Sequence, residues 1–135
     1  MSPWLEMLLR LLLAAALGAG IGYERERAQK AAGLRTHILI SSGAALFTLV
    51  SIYGFDSGVV DPSRVASGVV AGVGFIGAGV IFRGGRGDRV AGITTAATIW
   101  VAAAIGLTAG AGMYLLSAVA TGITVGVLRL PKVRG

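Results

Sequence analysis

Polar side chains that could bind an ion gather at the ends of long apolar runs in this sequence. They are carboxylates, cations, hydroxyls and a histidine, namely Glu24, Glu26, Arg35, Thr36, His37, Arg83, Asp88, Thr94 and Thr95. Carboxylates suit hard divalent cations, whereas arginines and hydroxyls suit phosphate groups. His37 could also sense pH or relay a proton. The competing interpretation is that these residues form interfacial ion pairs that anchor the chain.

No pattern in the sequence is typical of an enzyme. The chain has no cysteine and one histidine, which excludes thiolate metal sites and sites built from several histidines. The glycine- and arginine-rich segment from Arg83 to Arg89 lacks the lysine and hydroxyl of a phosphate-binding P-loop. No nucleophile stands beside a base in a recognisable motif. We therefore expect a protein without enzymatic activity.

The composition predicts a membrane protein. Of the 135 residues, 55% are hydrophobic and 13% are charged, and the mean hydropathy is +0.81. So few polar residues cannot cover a soluble domain of this size. The net charge of +6 comes from cations at the ends of apolar runs. These cations do not line one face of the protein, as they would in a nucleic-acid-binding surface. We therefore expect the lipid bilayer and its anionic headgroups as partners, and no nucleic acid.

The apolar runs predict an all-α fold, a single bundle of five transmembrane helices. The spans cover about residues 5–22, 36–53, 65–82, 93–108 and 113–128, close to the ~20 residues that cross a hydrocarbon core. We predict that the first helix continues past Gly22 as far as Gly33, because nothing earlier would break it. A four-span bundle is the main alternative. A cleavable signal peptide is disfavoured because no basic segment precedes the first run.

Five spans place the amino terminus outside the cell and the carboxy terminus in the cytoplasm. All of the 12 lysines and arginines except Arg10 and Arg64 then lie on the cytoplasmic side, where basic loops are retained. The polar residues named first would lie at the cytoplasmic helix ends. On the outer side, Asp61 and Arg64 form a corner where Asp61 caps the third helix, and Glu6 can pair with Arg10.

Small residues at helical spacing predict close contacts between helices. The chain contains 22 glycines, and glycine lets membrane helices approach closely. The predicted packing positions are Gly18, Gly22, Gly68, Gly72, Gly77, Gly106, Gly122 and Gly126. They could form seams inside one bundle or a surface for a homodimer. In the fourth run, Thr94 and Thr98 share a face, although such hydroxyls usually bond to their own backbone.

Ordered motifs along nearly the whole chain resemble the MgtC/SapB family of bacterial inner-membrane proteins. They are GAGIGYERE at 18–26, AGLRTH at 32–37, the Asp61-Pro62-x-Arg64 corner, GVGFIGAGVI at 72–81 and GITTAATIW at 92–100. The resemblance implies a multi-pass inner-membrane protein of magnesium homeostasis, associated with survival at low magnesium, virulence and acid tolerance. The candidate residues at the motif positions of the family are Glu24, Glu26, Arg35, Thr36, His37, Asp61, Arg64, Arg83, Thr94 and Thr95. Longer members carry a soluble domain after the last span, which we do not expect in a chain ending at Gly135.

Two hypotheses for the function remain open. In the first, the protein binds or transports Mg²⁺, and the sequence establishes no other cofactor. None of the six acidic residues lies in the middle of a predicted span, although membrane pathways for cations usually carry acids or carbonyls at depth. In the second, the protein is a regulatory module that binds another membrane protein, such as a transporter or the ATP synthase, together with anionic lipid.

Overall fold

The described part of the chain consists of helices and short connections. The structure, a computed structural model, describes residues 2–55, 61, 63–84 and 92–130, with side chains for all of these except 82–84. The helices are α1 (Pro3–Arg27), α2 (Leu34–Tyr53), α3 (Ser63–Gly84), α4 (Ile93–Gly110) and α5 (Tyr114–Leu128). No strand occurs among these residues, and the predicted all-α fold of five helices is confirmed.

Four of the helices are long and apolar enough to cross a membrane, and the fifth is shorter. α1, α2, α3 and α4 meet both requirements. α5 is apolar but has 15 residues, so it rises about 22 Å, against a hydrocarbon core of ~30 Å. Each of the five apolar runs therefore corresponds to one helix. The direction in which the bundle crosses the membrane stays a prediction.

α1 ends earlier than predicted, at a turn with a left-handed residue. The helix extends past Gly22 but stops at Arg27, so the predicted continuation to Gly33 is wrong. Gln29 has a φ of 56°, its N–H donates to the Glu26 carbonyl, and the Lys30 N–H donates to the Arg25 carbonyl. This pattern is a Schellman motif, which usually has glycine at the left-handed position. A glutamine there gave no signal in the sequence.

Close approaches through glycine bring α2 against both α1 and α4. An ideal Cβ at Gly18 of α1 would lie 2.7 Å from the His37 carbonyl oxygen, and one at Gly22 would lie 2.8 Å from Leu34 Cα. A Cβ at Gly106 of α4 would overlap the carbonyl oxygen of Ser41. No other residue type fits these three positions without moving the α2 backbone.

The remaining glycines of the predicted packing set do not make such contacts. At Gly68, Gly72, Gly122 and Gly126, an added Cβ would meet no described atom within 4 Å, and at Gly77 it would make ordinary contact, 3.5 Å from Ala96 Cβ. At four positions the described residues therefore form no seam inside the bundle, because glycine spacing defines a face but not which neighbour covers it. Gly68 and Gly72 line an apolar groove of about 670 Å³ between α2 and α3.

Polar contacts tie the helices together at one end of the bundle. Arg10 Nε lies 3.1 Å from Glu6 Oε1, which is the predicted pair, and Arg10 Nη1 donates to the Gly110 carbonyl at 3.1 Å. The Tyr114 hydroxyl donates to the same Glu6 oxygen, and the Arg10 guanidinium carbon lies 5.6 Å from the centre of the Tyr53 ring. This cluster connects α1 to the adjoining ends of α2, α4 and α5.

Candidate functional site

Two ionisable side chains are buried among the described residues, and both contact α4 at the other end of the bundle. Arg25 of α1 is 4% exposed and His37 of α2 is fully buried. Arg25 Nη2 donates to Thr95 Oγ1 at 2.9 Å, and His37 Nε2 lies 2.9 Å from Thr98 Oγ1. We call Arg25, His37, Thr95 and Thr98 the Arg–His–Thr network. It joins three helices.

The close glycines of α1 bring this network together. Gly18, Gly22 and Arg25 follow one another at spacings of four and three residues, so they share a helical face. Because Gly22 lies against the start of α2, Arg25 is carried past α2 to the first turn of α4. The α2 helix begins at Leu34, which places His37 one turn inside the same region.

The hydrogen bonds of His37 allow two protonation states. Nδ1 lies 2.8 Å from the Gly33 carbonyl oxygen, which can only accept, so Nδ1 carries a proton. Thr98 Oγ1 donates to the Thr95 carbonyl at 2.8 Å, and in that orientation Nε2 must donate as well, which makes the ring a cation. In the other state the Thr98 hydroxyl turns to donate to a neutral Nε2. Protonation of His37 is thus coupled to rotation of one hydroxyl.

Arg25 has no carboxylate partner among the described residues. Its Nε is buried without a hydrogen-bond partner there. The adjacent acids point elsewhere: Glu24 Oε2 lies 3.4 Å from Arg129 Nε, and Glu26 Oε1 accepts from the Leu34 N–H at 3.0 Å. One hydroxyl contact does not offset the cost of burying a guanidinium, which amounts to several kcal/mol for an unpaired charge.

The residues that the sequence grouped together differ in their burial and in their partners. His37 and Thr95 belong to the network, whereas Arg35 and Thr94 are exposed and Thr36 is half-buried. Glu24 pairs with α5, and Glu26 caps the first turn of α2. Only the backbone of Arg83 is described, and Asp88 lies outside the described residues. Thr94 and Thr98 are four residues apart in α4, but Thr94 is exposed, whereas Thr95 and Thr98 are buried.

Sequence reasoning missed Arg25 as a site residue. The residue stands in a run of charges, Glu24 to Arg27, that is typical of an exposed helix end. The available signal was its register with Gly18 and Gly22, because a cation on the closely packed face of a helix must be buried. From the sequence, Thr98 was considered only as a hydroxyl of the fourth apolar run. It lies three residues after Thr95 and therefore on the same side of α4.

The predicted outer corner forms a helix cap. Asp61 Oδ1 accepts from the Ser63 hydroxyl at 2.6 Å and from the Ser63 N–H at 3.0 Å. These two hydrogen bonds, the side-chain bond first, lower the pKa of the Asp61 carboxyl from its ordinary value. Arg64 is exposed, and its N–H donates to the Asp61 carbonyl. The corner therefore stabilises the start of α3.

The donors of the network suit an anion better than a divalent cation. No group of three or more histidine, aspartate or glutamate residues that could hold a metal ion occurs in the described part of the chain. Within the network the charged group is a guanidinium, and Mg²⁺ requires oxygen ligands, usually including carboxylates. Hydroxyl oxygens of two threonines do not make such a set.

Five packed apolar helices around a buried Arg–His–Thr network define a helical membrane protein. The chain belongs to the MgtC family, whose sequence model matches residues 11–133. The protein named "Putative magnesium transporter YhiD" from Escherichia coli (strain K12) is 50% identical over 131 residues, covering 93% of this chain and 60% of that protein. Protein SrpB from Synechococcus elongatus is 44% identical over 132 residues, covering 90% and 72%.

Protein MgtC from Brucella abortus (strain 2308) is 48% identical over 105 residues, covering 78% of this chain and 42% of that protein. The chain thus spans about 60% of the length of YhiD and less than half of MgtC. No solved structure matches the chain.

Proposed function

We propose that this chain is a regulatory membrane module of magnesium homeostasis in the bacterial inner membrane, and that it does not itself conduct Mg²⁺. Membership of the MgtC family and the name of the similar YhiD protein support the link to magnesium. The observation that argues against conduction, and so favours a regulatory role, is the buried Arg25, a cation without a hydrogen-bonded carboxylate among the described residues.

A fixed positive charge between the helices opposes the passage of Mg²⁺. At a separation of about 5 Å and an effective dielectric constant of ~20, a guanidinium and a divalent cation repel by about 7 kcal/mol. Mg²⁺ also gives up its water reluctantly. A pathway past α1, α2 and α4 would therefore need carboxylates to offset both costs.

The described carboxylates do not serve that purpose. Glu6 contacts Arg10 and Tyr114 at one end of the bundle, while Glu24 and Glu26 contact Arg129 and the Leu34 N–H at the other. Asp61 caps α3. Each of these acids has a structural partner near a helix end, which leaves the buried middle of the described bundle without an acidic side chain.

Uptake by vesicles tests the proposal. The purified chain is reconstituted into lipid vesicles that contain a Mg²⁺-sensitive dye, and a Mg²⁺ gradient is applied. We expect influx equal to that of protein-free vesicles, with a Mg²⁺ ionophore as the positive control. Saturable influx that Glu24→Ala abolishes would establish transport and overturn the proposal.

Cross-linking in cells tests the regulatory role directly. With photo-reactive residues on the outward faces of α3 and α5, we expect adducts to another membrane protein, a transporter or the ATP synthase being the classes to look for first. Adducts confined to lipid and to other copies of this chain would contradict a role that acts through a partner.

A further inference from the structure

We propose that Arg25 and the first turn of α4 together form a binding site for a phosphate group, supplied by an anionic lipid headgroup or by free phosphate. The chemistry common to both sources is a tetrahedral anion with several acceptor oxygens. Such a site is independent of whether the protein conducts Mg²⁺.

The first observation is the unsatisfied guanidinium. Arg25 is 4% exposed and lies against α4, because its Nη2 donates to Thr95 Oγ1 at 2.9 Å. Its Nε remains buried without a partner among the described residues. A guanidinium presents its N–H groups as a planar fork that matches two oxygens of one phosphate. The described structure therefore leaves one donor of this fork, the Nε–H, without an acceptor.

The second observation is the helix end beside it. α4 has 18 residues and begins after Gly92, which provides no side-chain cap. The first peptide N–H groups of a helix lack intrahelical acceptors, and the helix dipole adds a partial positive charge. Thr95 is the third residue of this helix, so Arg25 touches the turn that carries those groups. Thr94, in the same turn, is exposed and adds a hydroxyl donor.

The surrounding charges also favour an anion. Glu24 and Glu26, the nearest acids along the chain, are held by Arg129 and by the Leu34 N–H. His37 contacts the same part of α4 through Thr98 and is neutral or cationic. Positive charge thus comes from Arg25 and the α4 dipole. Glu24 acts on Arg25 through space, but no described carboxylate accepts a hydrogen bond from its guanidinium. A phosphate at this point would offset the cost of burying Arg25.

Charge-matched variants of α1 test the site. Arg25→Gln and Arg27→Gln each remove one positive charge from the same helix end, but Arg27 is exposed. The full chain is placed in phosphatidylcholine nanodiscs with and without phosphatidylglycerol, and separately titrated with inorganic phosphate in phosphatidylcholine alone. Unfolding temperature and bound ligand by native mass spectrometry are the two measurements.

We expect one of the two probes to bind and to raise the unfolding temperature of the wild-type chain. Binding of phosphatidylglycerol but not inorganic phosphate would identify the headgroup as the source, and the reverse result would identify free phosphate. Arg25→Gln should weaken binding by about tenfold or more, since a charged hydrogen-bond donor is lost. Arg27→Gln should leave it within about twofold.

Two results would overturn the proposal. The first is that neither phosphate-bearing probe binds the wild-type chain. The second is that the two glutamine variants lose binding equally, which would show general attraction of the anion to the charged surface. If Arg25→Gln fails to fold, Arg25→Lys replaces it, because lysine keeps the charge but not the planar fork. The lysine variant should bind about tenfold more weakly, and wild-type affinity in that variant would equally reject the site.

Discussion

His37 Nε2 and Thr98 Oγ1 lie 2.9 Å apart between α2 and α4, inside a bundle where the histidine ring is fully buried. This contact is the one hydrogen bond of the described structure that joins a titratable side chain of α2 to α4. The same hydroxyl also donates to the Thr95 carbonyl. In that orientation it offers His37 Nε2 an acceptor, and when it rotates toward the ring it offers a donor. The pair therefore determines the packing and the charge of the network together.

Thr98→Val should destabilise the protein by about 1–3 kcal/mol, because the buried ring loses its side-chain partner among the described residues. Thr94→Val is the matched control, since Thr94 is exposed on the same helix and should change stability by less than about 0.5 kcal/mol. Unfolding in mixed micelles with a denaturing detergent measures both. Equal effects of the two variants would mean that the His37 contact contributes nothing to stability.

Gly106→Ala should destabilise the bundle by about 3 kcal/mol or more, because the added methyl group would overlap the Ser41 carbonyl and the α2 backbone must move. Gly122→Ala is the same change on α5, where no described atom lies within 4 Å. It should be neutral or slightly stabilising, since alanine favours helix by up to ~1 kcal/mol. The same unfolding assay compares them.

A contrary result for Gly122→Ala would also be informative. If this variant loses stability only at high protein concentration, the open face of α5 contacts a second copy of the chain. Gly72→Leu applies the same test to α3, where space around the glycine is also open.

Gln29→Gly should stabilise the protein by about 1 kcal/mol, because a side chain at a φ of 56° carries a steric cost that glycine avoids. Gln29→Ala keeps the Cβ and should give no gain. Thermal unfolding followed by circular dichroism distinguishes the two. If both variants behave alike, the turn after α1 is not strained in solution.

The cap at Asp61 should make stability depend on pH in the acid range. The Ser63 hydrogen bonds lower the pKa of Asp61 from its ordinary value of 3.8, so the contribution is fully present above that value and is lost as pH falls through the lower, folded-state pKa. Asp61→Asn keeps an acceptor but cannot titrate, so this part of the pH dependence should disappear. Unfolding temperatures measured from neutral pH into the acid range would show it. An unchanged profile would mean that Asp61 does not cap α3.

The helices could be predicted from the sequence because lipid imposes long apolar runs, and each run became one helix. The neighbours of each helix could not be predicted. The same glycine spacing occurs at Gly18, where an added Cβ would overlap α2, and at Gly122, where an added Cβ would meet no described atom within 4 Å. For the site, His37 and Thr95 were predicted, but Arg25 was hidden among exposed charges. The burial of Arg25 depends on which turn of α1 contacts the start of α2, and that register is determined by the packing of the two helices.

Ser41 occupies a position that limits how α2 can move. Gly18 of α1 and Gly106 of α4 both lie against it, and its hydroxyl donates to the Ala14 carbonyl at 2.8 Å. A displacement of α2 toward either neighbour would bring backbone atoms into overlap. Any motion of α2 should therefore be shared by α1 and α4, so that these three helices are displaced as one unit.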